Sequence, residues 1–238
     1  MPTRIRSLSL AVLCLTAAAF AAGAPASAPL VEGHDYRLIT PPKPTSAPGK
    51  IEVLEFFSYG CPHCAKFSPL VSTWAAALPK DVVFKRVPVS FGRLPWVNLS
   101  RAYYSLEATG ALGKLDAALF HAIHDEHENL FDEQSIADWV GKQGGDAARF
   151  ANAYASFSVN NQTFQADQMA EDYKIEAIPT LVVNGRYVVV SPEQAADGEE
   201  LQTFKALLAL TDRVIALARG GNPRPAAPAA KVPAAKGR

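Results

Sequence analysis

The pattern of hydrophobic and polar positions predicts strands in two separate parts of the chain. Nearly every position from Ile51 to Phe57 is apolar, which is typical of a central strand covered on both faces. The segment from Val82 to Val89 predicts a second strand, parallel to the first if a helix connects them. Apolar runs at 178–183 and 186–190 flank Asn184-Gly185, a two-residue sequence that favours a hairpin turn.

Helical periodicity dominates the rest of the chain. A helix over 62–78 should connect the first two strands, an amphipathic helix is expected over 199–217, and 36–40 is a candidate edge strand. The block between the strand pairs predicts further helices over 97–109, 112–124, 135–143, 147–157 and 161–173. This order predicts an α/β fold in which a helical domain is inserted between the two halves of one sheet.

The N-terminus has the pattern of a secretory signal peptide. Arg4 and Arg6 precede an apolar stretch of about thirteen residues, and Ala19-Phe20-Ala21 fits the cleavage rule, so we expect residues 1–21 to be removed. A retained membrane anchor is the alternative, but a span needs roughly 20 apolar residues. The remaining divisions are an N-terminal extension (22–45), a sheet domain (46–95 and 160–218), a helical insertion (96–159) and a disordered Ala/Pro/Lys-rich tail (219–238).

Removal of the signal peptide changes the counts of cysteines and charges. Cys14 leaves with it, so that Cys61 and Cys64 are the two cysteines of the mature chain, and this favours reactive thiols over structural staples. Residues 22–218 carry 16 basic and 23 acidic groups, a net charge of −7. Such a body is not suited to nucleic acid, and we expect no stable insertion into a membrane.

The Cys61-Pro62-His63-Cys64 sequence lies at the predicted start of the helix that follows the first strand. Unpaired N–H groups and the dipole at a helix N-terminus stabilise a thiolate, so the pKa of Cys61 should fall. Pro62 suits the first helical position, and His63 adds a donor or a cation beside the same sulfur. We therefore assign Cys61 as the sulfur that exchanges with substrate and Cys64 as the resolving partner. Because a stabilised thiolate makes the disulfide a stronger oxidant, we expect disulfide donation to other proteins.

Several residues have a plain structural interpretation beside the functional one. The CxxC could be a structural disulfide or half of a zinc site, although its strand-turn-helix context favours redox catalysis. Glu55 is either a buried acid that relays the proton of Cys64 or a strand residue that reaches solvent. Pro179, after Ile178, is either a cis proline facing the cysteines or an ordinary trans proline. His121, His124 and His127 are interpreted as a solvated helix face, so no metal site is predicted.

The sequences VLEFFSYGCPHC and AIPTLVVNGRY, separated by a helical block, resemble the DsbA family of periplasmic thiol:disulfide oxidoreductases over residues 30–218. The resemblance implies a thioredoxin fold with a helical insertion. It also implies that Cys61 is the exposed nucleophile, Cys64 is buried, and Pro179 is cis with Ile178 contacting substrate through its backbone. Two further site residues are implied: Glu55 as the buried acid beneath the cysteines, and Lys85 as its partner.

The same resemblance implies the biological setting. Substrates would be unfolded, newly exported proteins in the periplasm, and a membrane protein of the DsbB type would reoxidise the enzyme and pass electrons to quinone. No cofactor is expected beyond the Cys61–Cys64 disulfide, and the protein is expected to be a monomer. A reductase or isomerase of the same fold, or a non-catalytic chaperone-like module, are the competing functions.

Overall fold

The computed structural model describes residues 28–191 and 199–220; the expected signal peptide and the end of the chain from 221 lie outside this part. Its strands are β1 (Tyr36–Leu38), β2 (Ile51–Phe57), β3 (Val82–Pro88), β4 (Thr180–Val183) and β5 (Tyr187–Val189). Its helices are α1 (Pro62–Ala76), α2 (Leu94–Thr109), α3 (Leu112–His124), α4 (Glu133–Lys142), α5 (Ala147–Tyr154), α6 (Phe157–Asp172) and α7 (Glu200–Gly220). No helix in the described ranges is long and apolar enough to span a bilayer.

The five strands form one sheet in the order β1-β5-β4-β2-β3, which confirms the predicted α/β fold. All seven residues of β2 are buried, because β3 pairs with it in parallel and β4 in antiparallel orientation while helices cover both faces. The predicted hairpin is the β4–β5 pair, and the candidate edge strand pairs with β5 as β1. The expected pairing of apolar segments is therefore correct.

The side chains of β2 belong to three different cores. Leu54 and Phe56 pack with α6 residues, whereas Val53 packs with residues of α1 and α7. Phe57 joins the core of the helical insertion, together with both cysteines. Since residues two apart in a strand share a face, Glu55 lies on the face of Val53 and Phe57.

Several predicted boundaries differ from the structure by a few residues, and those near residues 157 and 219 change the expected divisions of the chain. The helix expected over 147–157 ends at Tyr154, because Ser156 accepts a hydrogen bond from the Val159 N–H and begins α6. The expected division between residues 159 and 160 therefore falls inside a single helix. At the other end, α7 continues to Gly220, and Arg219 within it donates to Asp81, so that the tail expected from 219 begins no earlier than 221.

Candidate active site

Cys61 occupies the N-cap position of α1, directly after the turn that ends β2. Its backbone is extended, with φ −96° and ψ 118°, and Pro62 follows in the first turn of the helix. Helix α1 therefore presents its unpaired N–H groups to the Cys61 sulfur, as the sequence predicted. Both Cys61 and Cys64 are free thiols here, which is the reduced state of the pair.

The surroundings of Cys61 lower its pKa from an ordinary value of 9.0 to about 6. The largest cause is a hydrogen bond from the Cys64 thiol; burial opposes it, and the backbone N–H groups of Cys64 and His63 and the charge of His63 add to the stabilisation. A thiolate is thus the main form of Cys61 at neutral pH. The helix start contributes as predicted, but Cys64 contributes more than His63.

Cys64 has the opposite character. It is fully buried, and its pKa is raised well above the ordinary value, first because of burial and then because of Cys61 beside it. The pair therefore contains one stabilised thiolate and one stabilised thiol, which are the protonation states of a nucleophile and a resolving partner.

The exposure expected for Cys61 is wrong: the residue is 4% exposed. The Trp96 indole lies over the adjacent Gly60, so that a Cβ on that glycine would be 2.4 Å from the indole Nε1. On the other side, the Cys61 sulfur lies 3.8 Å from the carbonyl oxygen of Ile178.

The peptide bond between Ile178 and Pro179 is cis, as the family resemblance implied. Pro179 immediately precedes β4, so that Ile178 lies where the sheet ends and faces Cys61. The CxxC segment and the Ile178-Pro179 segment therefore meet at one site, although Cys61 and Ile178 are 117 positions apart.

His63 has a carboxylate partner that the sequence analysis did not identify. Its Nδ1 lies 2.5 Å from Oε1 of Glu200, and Lys66 donates to Oε2 of the same carboxylate across 2.7 Å. Glu200 is in the first turn of α7, and its hydrogen bonds with His63 and Lys66 lower its pKa. The arrangement fixes the His63 ring beside the helix start.

Glu55 is fully buried on β2, and its pKa is raised by burial. Its partner is Arg86, which donates from Nε to Oε2 across 2.7 Å. The expected partner, Lys85, is wrong: its ammonium lies near Ser46 and 3.9 Å from Glu52. The register explains this, because Glu55 is paired with Arg86 whereas Lys85 is paired with Leu54 and shares the other face.

Sequence reasoning also missed residues that the insertion supplies. Asp116 on α3 accepts hydrogen bonds from Arg86 and from the Tyr59 hydroxyl, and His124 Nε2 lies 2.7 Å from the Tyr59 carbonyl oxygen. Tyr59 belongs to the turn before Cys61, so α3 holds this turn through both the side chain and the backbone of Tyr59. Arg86 could have been identified from the sequence, because Glu55 and Arg86 are each the fifth residue of a strand of seven. No comparable pattern in the sequence indicates Asp116 or His124.

The three histidines do not converge on one point. His121 lies 3.7 Å from Asp125 and 3.3 Å from Glu126, while His124 contacts Tyr59. Within residues 28–191 and 199–220, no group of histidine, cysteine and carboxylate side chains is arranged to hold a metal ion.

Comparisons with known proteins agree with this geometry. The family model of the DSBA-like thioredoxin domain matches residues 52–209. The thiol:disulfide interchange protein DsbA of Burkholderia cepacia is 41% identical over 181 residues, covering 76% of this chain and 84% of the relative. That of Bordetella parapertussis is 40% identical over 210 residues, covering 86% and 96%.

Solved structures give the same result for the fold. The crystal structure of Pseudomonas aeruginosa DsbA is similar with a TM-score of 0.72 and 36% identity, covering 79% of this chain and 94% of the other. The oxidoreductase DsbA from Xylella fastidiosa has a TM-score of 0.72 and 31% identity, covering 81% and 99%. The fold is therefore thioredoxin-like with a helical insertion, and the chain belongs to the DsbA family of thiol:disulfide oxidoreductases.

Proposed function

We propose that this enzyme donates the Cys61–Cys64 disulfide to newly exported proteins in the periplasm. The observation that carries the direction of the reaction is the contrast between Cys61, whose pKa falls to about 6, and Cys64, whose pKa is raised. A stabilised Cys61 thiolate favours the reduced protein, and so makes the disulfide form an oxidant. The basic start and apolar segment in residues 1–21 support export.

The reaction has two exchange steps. A substrate thiolate attacks the Cys61 sulfur, a mixed disulfide forms, and the Cys61–Cys64 bond breaks with its electron pair on Cys64, which takes up a proton. A second substrate thiolate then attacks the substrate sulfur of the mixed disulfide, and Cys61 leaves as a thiolate. The substrate loses two electrons and the cysteine pair gains them, so no cofactor is needed.

Five other residues assist these steps. Glu55 takes up or supplies the proton of buried Cys64, and His63 stabilises the Cys61 thiolate. Ile178 and cis Pro179 hold an extended substrate segment through backbone contacts beside Cys61, since the Ile178 carbonyl oxygen just before β4 faces that sulfur. Pro62 sets the helix start.

Reoxidation requires a partner that accepts two electrons. The Cys61 thiolate attacks a disulfide of a DsbB-like inner-membrane protein, Cys64 loses its proton and displaces the partner, and the electrons pass on to quinone. This exchange is the reverse of substrate oxidation, because the cysteine pair now gives two electrons to a stronger oxidant.

The decisive experiment is the equilibrium of the enzyme with reduced and oxidised glutathione. We expect a reduction potential more oxidising than that of thioredoxin; a value as reducing as thioredoxin's would indicate a reductase.

Substitution of each cysteine then tests the roles assigned to Cys61 and Cys64. Cys61→Ala should abolish oxidation of a reduced protein substrate. Cys64→Ala, mixed with oxidised glutathione, should accumulate the mixed disulfide between Cys61 and glutathione, because no second thiol resolves it. Retained oxidation by Cys61→Ala would exclude the mechanism.

A further inference from the structure

A buried ion-pair network joins the helical insertion to the strand that carries Glu55. The side chain of Arg86 on β3 is 9% exposed, and its Nε donates to Glu55 across 2.7 Å. Its Nη1 donates to both carboxylate oxygens of Asp116, at 2.9 and 2.8 Å. Asp116 lies on α3, so that one guanidinium bridges a carboxylate of the sheet and a carboxylate of the insertion.

The position of this guanidinium is fixed from several sides. Its carbon lies 3.8 Å from the centre of the Phe57 ring and 5.4 Å from that of Phe120, both within cation–π range. The Tyr59 hydroxyl donates to Asp116 across 2.5 Å and holds the carboxylate from the active-site turn. Asp116, on the insertion, therefore helps to fix the position of Arg86 relative to Glu55.

The charges around Glu55 are unequal in number. When all three groups are ionised, one guanidinium faces two carboxylates, and Oε1 of Glu55 has no hydrogen-bond partner among the described residues. Glu55 also lies close enough to Cys64 for its charge to raise the pKa of that thiol. The titratable groups that face this network are Arg86 from β3, Asp116 from α3, Tyr103 from α2, Tyr59 from the turn and Cys64 from α1.

We propose that Asp116 is a positioning residue for the step in which Cys64 resolves a mixed disulfide. It holds Arg86 on one oxygen of Glu55 and leaves the other oxygen free to accept the Cys64 proton. This inference rests on the proposed function and extends it, because it makes the helical insertion a part of the redox site.

The step is defined for a mixed disulfide between Cys61 and glutathione. The S–H bond of Cys64 breaks, its proton passes to Oε1 of Glu55, and the Cys64 sulfur attacks the Cys61 sulfur. The bond between Cys61 and glutathione breaks, and glutathione leaves as a thiolate. Two electrons pass from the cysteine pair to oxidised glutathione over the whole reaction.

Substitutions at the two ends of the network should act in opposite directions. The charge of Arg86 opposes the rise in the pKa of Glu55, whereas the charge of Asp116 adds to it. Asp116→Asn therefore makes Glu55 lose its proton at lower pH, and Arg86→Gln makes it lose the proton at higher pH. Since removal of either group loses an ion pair, a purely structural role would impair both variants in the same way.

The test is the rate of mixed-disulfide resolution as a function of pH. The reduced full-length mature protein is mixed with oxidised glutathione, quenched with acid, and analysed by mass spectrometry. We expect the pH midpoint to move down by about one unit in Asp116→Asn and up by a similar amount in Arg86→Gln. Both shifts should shrink in a Glu55→Gln background.

Asp167→Asn is the matched control, since that carboxylate of α6 accepts from the N–H and hydroxyl of Ser90 and should leave the midpoint unchanged. Unchanged midpoints, or shifts in one direction, in both variants would overturn the proposal. If Arg86→Gln does not fold, the direction of the Asp116→Asn shift and its loss in the Glu55→Gln background decide the matter. Failure of the wild-type enzyme to oxidise a protein substrate would instead refute the proposed function.

Discussion

The pKa of Cys61 makes the stability of the reduced enzyme depend on pH. The value is about 6 in the folded protein and near 9.0 for an ordinary cysteine, so that the unfolded chain binds more protons between these limits. Stability should therefore rise with pH from about 6 to 9, and the gain should be lost as pH falls through 6. The oxidised protein has no thiols to titrate.

Urea unfolding of both redox forms across this pH window checks the prediction. The free energy of unfolding of the reduced form should rise relative to that of the oxidised form. A Cys61→Ser variant, which lacks the titrating sulfur, should lose the rise. A constant difference between the two forms of the wild-type enzyme would contradict the depressed pKa.

The order of the causes gives a second prediction for the same thiol. The Cys64 hydrogen bond stabilises the Cys61 thiolate more than the His63 charge does. Cys64→Ala should therefore raise the pKa of Cys61 more than His63→Leu does. Titration of the ultraviolet absorbance of the thiolate measures both, and a larger shift in the His63 variant would show that its charge dominates.

Local sequence was sufficient for the residues that make up a motif. Cys61, Cys64 and Pro62 follow from a helix start, and Glu55 was conspicuous because a carboxylate within an apolar strand is costly to bury. The partner of Glu55 was predicted one position away from the true residue. Choosing between Lys85 and Arg86 requires the register of β2 against β3, since a shift of one residue exchanges the two faces.

At the scale of elements, the active-site turn is held against the start of α2 by one close contact. A Cβ on Gly60 would be 2.4 Å from Nε1 and 2.8 Å from Cδ1 of the Trp96 indole. Gly60→Ala should therefore displace the indole and lower the free energy of unfolding by about 1–3 kcal/mol. The effect should be smaller in a Trp96→Ala background, because the clash is then absent.

Urea unfolding of the two single variants and the double variant measures this coupling. Gly113→Ala is the matched control, because a Cβ at that position of α3 would meet nothing within 4 Å. It should stabilise the protein by about 0.5–1 kcal/mol, as alanine usually does in a helix. Additive effects of Gly60→Ala and Trp96→Ala would contradict the contact.

Helices and strands were predictable because their apolar spacing is local, but some of their ends were not. The pattern ran through Ser156 without a break, although a serine three residues before Val159 has the spacing of an N-cap. A continuous apolar period outweighed that short signal. Likewise, the last turn of α7 includes Arg219, which donates to Asp81 immediately before β3, a contact between distant parts of the chain.

At the scale of the whole molecule, the helical insertion and the sheet share one core. Phe57 of β2 packs edge-on against Tyr59 and Tyr103, and its cluster includes both cysteines and most of the buried apolar residues of the insertion. The Arg86 network crosses the same junction. No local pattern could reveal this sharing, because it depends on which face of β2 the insertion covers.

A shared core predicts that the insertion and the sheet unfold in one transition. Trp74 on α1 packs against Phe84 of β3, whereas Trp139 is buried within the insertion, so each reports on one part. The double variant Trp96→Phe/Trp139→Phe retains Trp74 alone, and the double variant Trp96→Phe/Trp74→Phe retains Trp139 alone. In each variant, the urea midpoint from tryptophan fluorescence should equal that from circular dichroism.

Phe57→Ala extends this prediction, because it removes the ring common to both parts. We expect it to lower the free energy of unfolding by about 3–5 kcal/mol and to move the Trp74 and Trp139 midpoints together. Leu207→Ala, in the core beneath α7 and away from the insertion, is the comparison: it should move both midpoints equally if the molecule is one cooperative unit. A Trp139 midpoint that stays fixed while the Trp74 midpoint falls would show that the insertion unfolds by itself. The ion pair between Asp116 and Arg86 would then break whenever the insertion unfolds, even while the sheet stays folded.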